Sequence, residues 1–468
     1  MRVKCWNFLS QSGILIEHMG MPLFVFEEGK SMLRSLLLML ASLCGLTTLF
    51  PALLSDDTTT PSQVTTPPIL EFVEYQRLDE LGDTRNMTIS PDGSKLVWPD
   101  DTSFCIYEIA SATTECVSTG DVTVRVMTGF TWSPDSRYLA FHEDLFLRFY
   151  ESDLWVFDFE TRQLVNLTDD GTIDDALPDH GVTLELDYVP VWGPENTLYF
   201  FRTLSNLDIE PVPFNLYRFS LANGPENVGE PELVADLIHV KDEAFAVYSS
   251  RSDVLDGSAS LSPDGHTMAF LVRPSDLSKD QVVWVVDVTT GVTHQVTTLS
   301  NLTQLGIPAW SEIDLFLSGL GWSGDSQYLV ATTFSPTQIA SAEPTYAIHV
   351  NSGESMTLID FSSVPDQQSF VERAGITDQV AGRYDTIRAG IVTPDGSYMI
   401  YFNFNSSDAG VSALPLLPPN NSNTPLRLFN FPADESSGPM PMFQSTAGDD
   451  GEYVRVLMFG YMFTFAKR

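Results

Sequence analysis

One short unit recurs along this chain and leaves few folds open to it. Ile89-Ser90-Pro91-Asp92-Gly93 is followed by the apolar run Leu96-Val97-Trp98. The unit returns as Trp132-Ser133-Pro134-Asp135-Ser136 before Leu139-Ala140-Phe141, and as Trp192-Gly193-Pro194-Glu195-Asn196 before Leu198-Tyr199-Phe200. Leu261-Ser262-Pro263-Asp264-Gly265, Trp322-Ser323-Gly324-Asp325-Ser326 and Val392-Thr393-Pro394-Asp395-Gly396 continue the series, and Gly448-Asp449-Asp450-Gly451 is a degraded seventh copy. The residue types state a mechanism. Proline presets φ at the second turn position, aspartate bonds its own backbone, and glycine accepts the left-handed geometry that closes a tight hairpin. Ser136 and Ser326 stand where glycine is expected, so some strain is predicted there. Alternating apolar residues on either side read as half-buried antiparallel strands.

A second hairpin follows most copies. Leu154-Trp155-Val156-Phe157-Asp158 precedes Leu164-Val165-Asn166-Leu167, and Val282-Val283-Trp284-Val285-Val286-Asp287 precedes Gln295-Val296-Thr297. Each unit is therefore four strands, and repeated four-stranded antiparallel meanders build an all-β propeller. These residues resemble the TolB-like, WD-repeat-like propeller unit, over nearly all of 69–468. Six clear copies and a degraded seventh favour a seven-bladed ring, with six blades the alternative. In the seven-bladed reading Met442 to Phe465 supplies three strands of the last blade, and Ile69 to Gln76 supplies the fourth.

Before the ring, 1–55 reads as a leader and 56–68 as a Thr- and Pro-rich linker. Residues 35–55 carry no charge and centre on Leu36-Leu37-Leu38-Met39-Leu40, between Arg34 and Asp56-Asp57. That pattern predicts an N-terminal signal or anchor helix, with translation starting at Met1 or at Met32. The body is thus expected outside the cytoplasm, periplasmic or at the cell surface, secreted or anchored by that helix. Cys105 and Cys116 flank a turn at Ala110 to Thr113; opposed hairpin positions suit a disulfide in an oxidising compartment, and two small buried thiols are the other reading.

Twenty-four basic against 62 acidic residues give a net charge of −38, which excludes nucleic acid as a partner. The densest acidic run, Asp169, Asp170, Asp174 and Asp175, reads as a solvated loop, with a calcium site the weaker reading because the EF-hand spacing is missing. No other cofactor is predicted. The seven histidines show no ligand spacing, and no Gly-x-Ser-x-Gly elbow occurs. Tryptophans at the inner strand ends are expected to pack between blades. Long insertions at 169–186, 203–214, 235–258 and 300–317 share one face of such a ring, so a binding surface is expected there. The resemblance implies an exported, non-catalytic scaffold for a protein or cell-envelope partner. The alternative is a propeller enzyme, a metal-dependent lyase or hydrolase at the channel mouth, for which Asn86, Asp187 and Arg388 are the thin candidates.

Overall fold

In a computed structural model the described residues are 67–78, 81, 87–100, 103–118, 128–142, 152–169, 185–204, 213–241, 259–272, 280–303, 316–334, 345–359, 390–403, 410–416, 424–430, 446–458 and 461–468. They lie in the compact unit Val64–Arg468. The leader helix expected at 35–55 lies outside the described residues, and among those described no helix is long and apolar enough to cross a membrane.

The strands form seven four-stranded antiparallel sheets, so the ring has seven blades. In chain order, β1 is Leu70–Arg77. Blade one is β2 (Thr88–Ile89), β3 (Lys95–Asp100), β4 (Ser103–Glu108) and β5 (Thr113–Ser118). Blade two is β6 (Thr128–Trp132), β7 (Tyr138–His142), β8 (Leu154–Asp158) and β9 (Gln163–Asn166). Blade three is β10 (Glu185–Gly193), β11 (Thr197–Leu204), β12 (Phe214–Ser220) and β13 (Glu232–Asp236). Blade four is β14 (Ala259–Leu261), β15 (Thr267–Val272), β16 (Val282–Asp287) and β17 (Thr293–Thr298). Blade five is β18 (Phe316–Trp322), β19 (Tyr328–Phe334), β20 (Thr345–His349) and β21 (Ser355–Ile359). Blade six is β22 (Gly390–Val392), β23 (Tyr398–Asn403), β24 (Gly410–Pro415) and β25 (Leu426–Asn430). Blade seven takes β26 (Thr446–Asp449), β27 (Tyr453–Met458) and β28 (Tyr461–Lys467) from the end of the chain and β1 from its start, with Leu70 opposite Lys467 and Arg77 opposite Tyr461.

The core is divided among the junctions. One cluster of buried apolar side chains fills each of the seven blade-to-blade interfaces. The middle strands show how the sequence encodes this. On β15, Met268, Phe270 and Val272 point toward blade three, while Ala269 and Leu271 point toward blade five. On β7, Leu139 and Phe141 face blade one, and Tyr138 and Ala140 face blade three. These strands are buried on both faces, which corrects the half-buried reading: a blade is sandwiched between two neighbours, so its middle strands read as unbroken apolar runs. Burying a side chain such as Phe270 stabilises the fold by roughly 1.5–3 kcal/mol, and most of that stability depends on a neighbouring blade being present.

Cys105 and Cys116 are register partners across β4 and β5, with Cα atoms 4.0 Å apart and their sulfurs bonded as a disulfide.

Candidate functional site

The meander gives the ring two unlike ends. The first-to-second and third-to-fourth strand turns share one end, as shown by the Ile109 N–H donating to the Ser94 carbonyl at 3.0 Å. Second-to-third connections and all links between blades leave from the other end.

At the turn end, most repeat turns carry the same internal bonding. The Ser90 hydroxyl donates to the Asp92 carboxylate at 2.6 Å and accepts the Lys95 N–H at 2.9 Å. Ser133–Asp135, Ser262–Asp264, Ser323–Asp325 and Thr393–Asp395 repeat the hydroxyl-to-carboxylate bond at 2.5–2.7 Å. Blade three departs from the pattern: Gly193 offers no hydroxyl, and Pro194, Glu195 and Asn196 form a short 3-10 turn with positive φ at Glu195 and Asn196. Burial raises the Asp92 carboxyl, but the bonds from Ser90 and Ser94 outweigh it and hold the group below the ordinary carboxylate value. Asp395 behaves likewise, its burial outweighed by Thr393, the Ser397 N–H and Lys467.

Adjacent turns are also tied to one another around the whole ring. The Asp92 N–H donates to Ser136 Oγ at 2.9 Å, and Asn196 Nδ2 donates to Asp135 Oδ2 at 2.9 Å. Gly265 lies against Pro194, where an added Cβ would come within 2.6 Å of the ring. The Asp264 N–H donates to Ser326 Oγ at 3.1 Å, and the Gly324 N–H to the Gly396 carbonyl at 3.0 Å. Lys467 bridges Asp395, at 3.1 Å, and Asp449, and the Asp449 N–H donates to the Pro91 carbonyl, which closes the circuit. Ser136 and Ser326 do adopt left-handed φ of 60° and 58°, but their hydroxyls serve these junctions.

The channel between the inner strands is a cavity of about 750 Å³ walled mainly by apolar side chains, among them Ile89, Trp132, Val191, Leu261, Leu320 and Val392. Its acids, Asp395 and Asp449, sit at the turn end and both hold Lys467. Two of the inner-strand tryptophans staple blades: Trp192 Nε1 donates to the Thr131 carbonyl at 3.1 Å, and Trp322 Nε1 to the Ser260 carbonyl at 3.0 Å.

At the opposite end, β9, β13, β17, β21 and β25 finish and β10, β14, β18, β22 and β26 begin, so the long connections between these blades leave and return there. The link at 360–389 is longer than any insertion singled out from the sequence. Of the acidic run, Asp169 is exposed just beyond β9, while Asp170, Asp174 and Asp175 lie outside the described residues, as do Asn86 and Arg388. Among the described residues, no group of three or more His, Cys, Asp or Glu is placed to hold a metal.

Asp187 is the exception among the enzyme candidates, being described and almost fully buried. Arg202, its partner across β10 and β11, grips it with Nε at 2.6 Å and Nη2 at 2.7 Å. The same guanidinium pairs with Glu185 and lies over the Phe200 and Tyr217 rings. Burial pushes the Asp187 carboxyl up to about 6 despite the arginine.

Seven four-stranded antiparallel blades define a β-propeller, and its repeat turns resemble the TolB-like unit. No family model and no curated protein matches the chain. Similar solved structures include a putative TolB from Agrobacterium tumefaciens, at 15% identity over 59% of this chain and 80% of that one, TM-score 0.34. TolB from Acinetobacter baumannii is 14% identical over 80% and 78%, TM-score 0.33. An oligogalacturonate lyase in complex with manganese is 14% identical over 86% and 96%, TM-score 0.47.

Proposed function

We propose that this chain is an exported, non-catalytic propeller that binds a protein or cell-envelope partner through the end of the ring from which the long connections leave. The observation that carries this reading is the asymmetry of the two ends. Polar groups of the turn end are engaged in bonds within and between blades, while chain available for recognition is concentrated at the other. Loops on a rigid scaffold are where binding residues gather. Export is supported by the uncharged apolar stretch 35–55 and by the Cys105–Cys116 disulfide, since such bonds persist in oxidising compartments. The strong negative charge argues for a partner that presents basic or neutral surface, and against nucleic acid.

The test is affinity capture from envelope fractions with residues 56–468 as bait. Replacing 304–315 and 360–389 by short Gly-Ser links is expected to abolish capture, while Glu195→Lys on the turn end leaves it intact. Capture that survives trimming but is lost in Glu195→Lys would place the surface at the wrong end of the ring.

A further inference from the structure

Beyond the repeat turns, one short motif recurs that neither the fold nor the proposed binding role uses. Asparagine, any residue but proline, then serine or threonine is the acceptor signal for an asparagine-linked sugar in an exported chain. It stands at Asn86-Met87-Thr88, Asn166-Leu167-Thr168, Asn301-Leu302-Thr303, Asn405-Ser406-Ser407 and Asn420-Asn421-Ser422. Asn86, Asn405 and Asn420 lie outside the described residues, which leaves Asn166 and Asn301 to be compared in the folded ring.

The fold treats these two asparagines in opposite ways. Asn166, the last residue of β9, is half-buried and bound on both sides of its amide. Its Nδ2 donates to the Asp153 carboxylate at 2.7 Å, and its Oδ1 accepts the Thr168 N–H at 3.0 Å. The Thr168 hydroxyl accepts the Leu154 N–H at 2.9 Å, so that whole motif is built into blade two. Asn301 lies in the short helical turn Leu299–Thr303 that follows β17. Leu299 and Leu302, three apart and so on one side of the turn, are buried in the cluster between blades four and five. The Leu299 N–H donates to the Gln281 carbonyl at 3.0 Å, and the Asn301 N–H to Thr298 Oγ1 at 3.2 Å. The backbone is thereby fixed while the Asn301 side chain is exposed, and among the described residues no hydrogen bond engages its side-chain amide.

We infer that Asn301 carries an asparagine-linked oligosaccharide. The donor class is an oligosaccharide joined through a diphosphate to a lipid. The Asn301 Nδ2 forms a bond to the anomeric carbon, the bond from that carbon to the diphosphate oxygen breaks, and the lipid diphosphate leaves with its electron pair. One Nδ2 proton goes to the transferring enzyme's base, and nothing is oxidised or reduced. The product is still a neutral amide, so the only demand on the fold is room. Asn301 has that room. Asn166 does not, because a sugar on its Nδ2 must displace the bond to Asp153 and leave a buried carboxylate with one donor fewer. The inference rests on the export proposed above and is independent of which end of the ring meets a partner.

Fragmentation mass spectrometry of the chain purified from its natural source reads the site. The peptide spanning Asn301 is expected to carry the added mass of hexose or N-acetylhexosamine residues, located on Asn301, and the peptide spanning Asn166 to be bare. Asn301→Gln and Thr303→Ala each break the motif and should each abolish the added mass. Thr303→Ser keeps the hydroxyl and should retain it. Cell fractionation separates the two ways of failing. A chain held in the cytoplasm overturns export and the sugar together. An exported chain with bare Asn301, with a sugar on Asn166 instead, or with an added mass that survives Thr303→Ala overturns the sugar alone.

Discussion

If the bonds between adjacent turns hold the ring together, a single methyl group should separate junction strain from turn strain. Gly396 and Gly451 both sit in repeat turns with left-handed φ, 66° and 90°. An added Cβ at Gly451 meets nothing within 4 Å. At Gly396 it would lie 2.3 Å from the backbone nitrogen and 2.6 Å from the Cα of Gly324 in the neighbouring blade. Both alanines incur the left-handed penalty of about 1–2 kcal/mol. Gly396→Ala must also push the two turns apart, because backbone cannot swing away as a side chain can. That breaks the bond from the Gly324 N–H to the Gly396 carbonyl and leaves partners unmade, which costs a further 1–3 kcal/mol or so. Gly451→Ala should therefore lose about 1–2 kcal/mol and Gly396→Ala about 2–5 kcal/mol. Urea denaturation followed by tryptophan fluorescence, with both m-values compared to the parent, measures the difference. Equal losses in the two variants would show that the turns carry only local strain and that the junction bonds contribute nothing.

Opening the Cys105–Cys116 bridge, by reductant or by a double alanine variant, releases a short loop and should cost about 3 kcal/mol on the chain-entropy account; denaturation with and without reductant checks it. Turn carboxylates such as Asp92 and Asp395 lie below their ordinary value, so their contribution is present above about pH 4 and is lost as pH falls through the folded value. Asp395→Asn should accordingly make the stability profile flatter below pH 4, measured as urea midpoints across pH 2–5.

Much of the ring was legible because its turns announce themselves. Pro-Asp-Gly sets backbone geometry locally, and the apolar runs beside it have nowhere to go but between blades. The seventh blade was legible for the same reason, even from the worn copy around Asp449 and Asp450. Contacts between units were not legible. Nothing near Ser136 says that its hydroxyl will meet the Asp92 N–H of another blade, so the residue reads as a poor glycine rather than a junction bond. Lys467 carries no motif, yet it bridges two turn carboxylates. Asp187 was picked out from its place on an inner strand, and nothing around it in the sequence says that it will face Arg202 across β10 and β11 and be held by it. These contacts depend on the radial order of the blades, which a one-dimensional repeat does not contain.

The pairing of β1 with β28 has a consequence for how the chain reaches its fold. Leu70 and Lys467 are neighbours in space but nearly the whole ring apart in sequence. Such a contact is among the most non-local a chain can make, and loop-closure entropy makes it slow. The first strand of the ring must wait, with neither edge paired, until the last has been made. Blades one to six can assemble as they emerge, but the seventh, and with it two of the seven core clusters, forms only at the end. Closure is thus the late and cooperative step of folding, and a chain truncated before Tyr461 would hold a row of blades with two open edges in place of a ring.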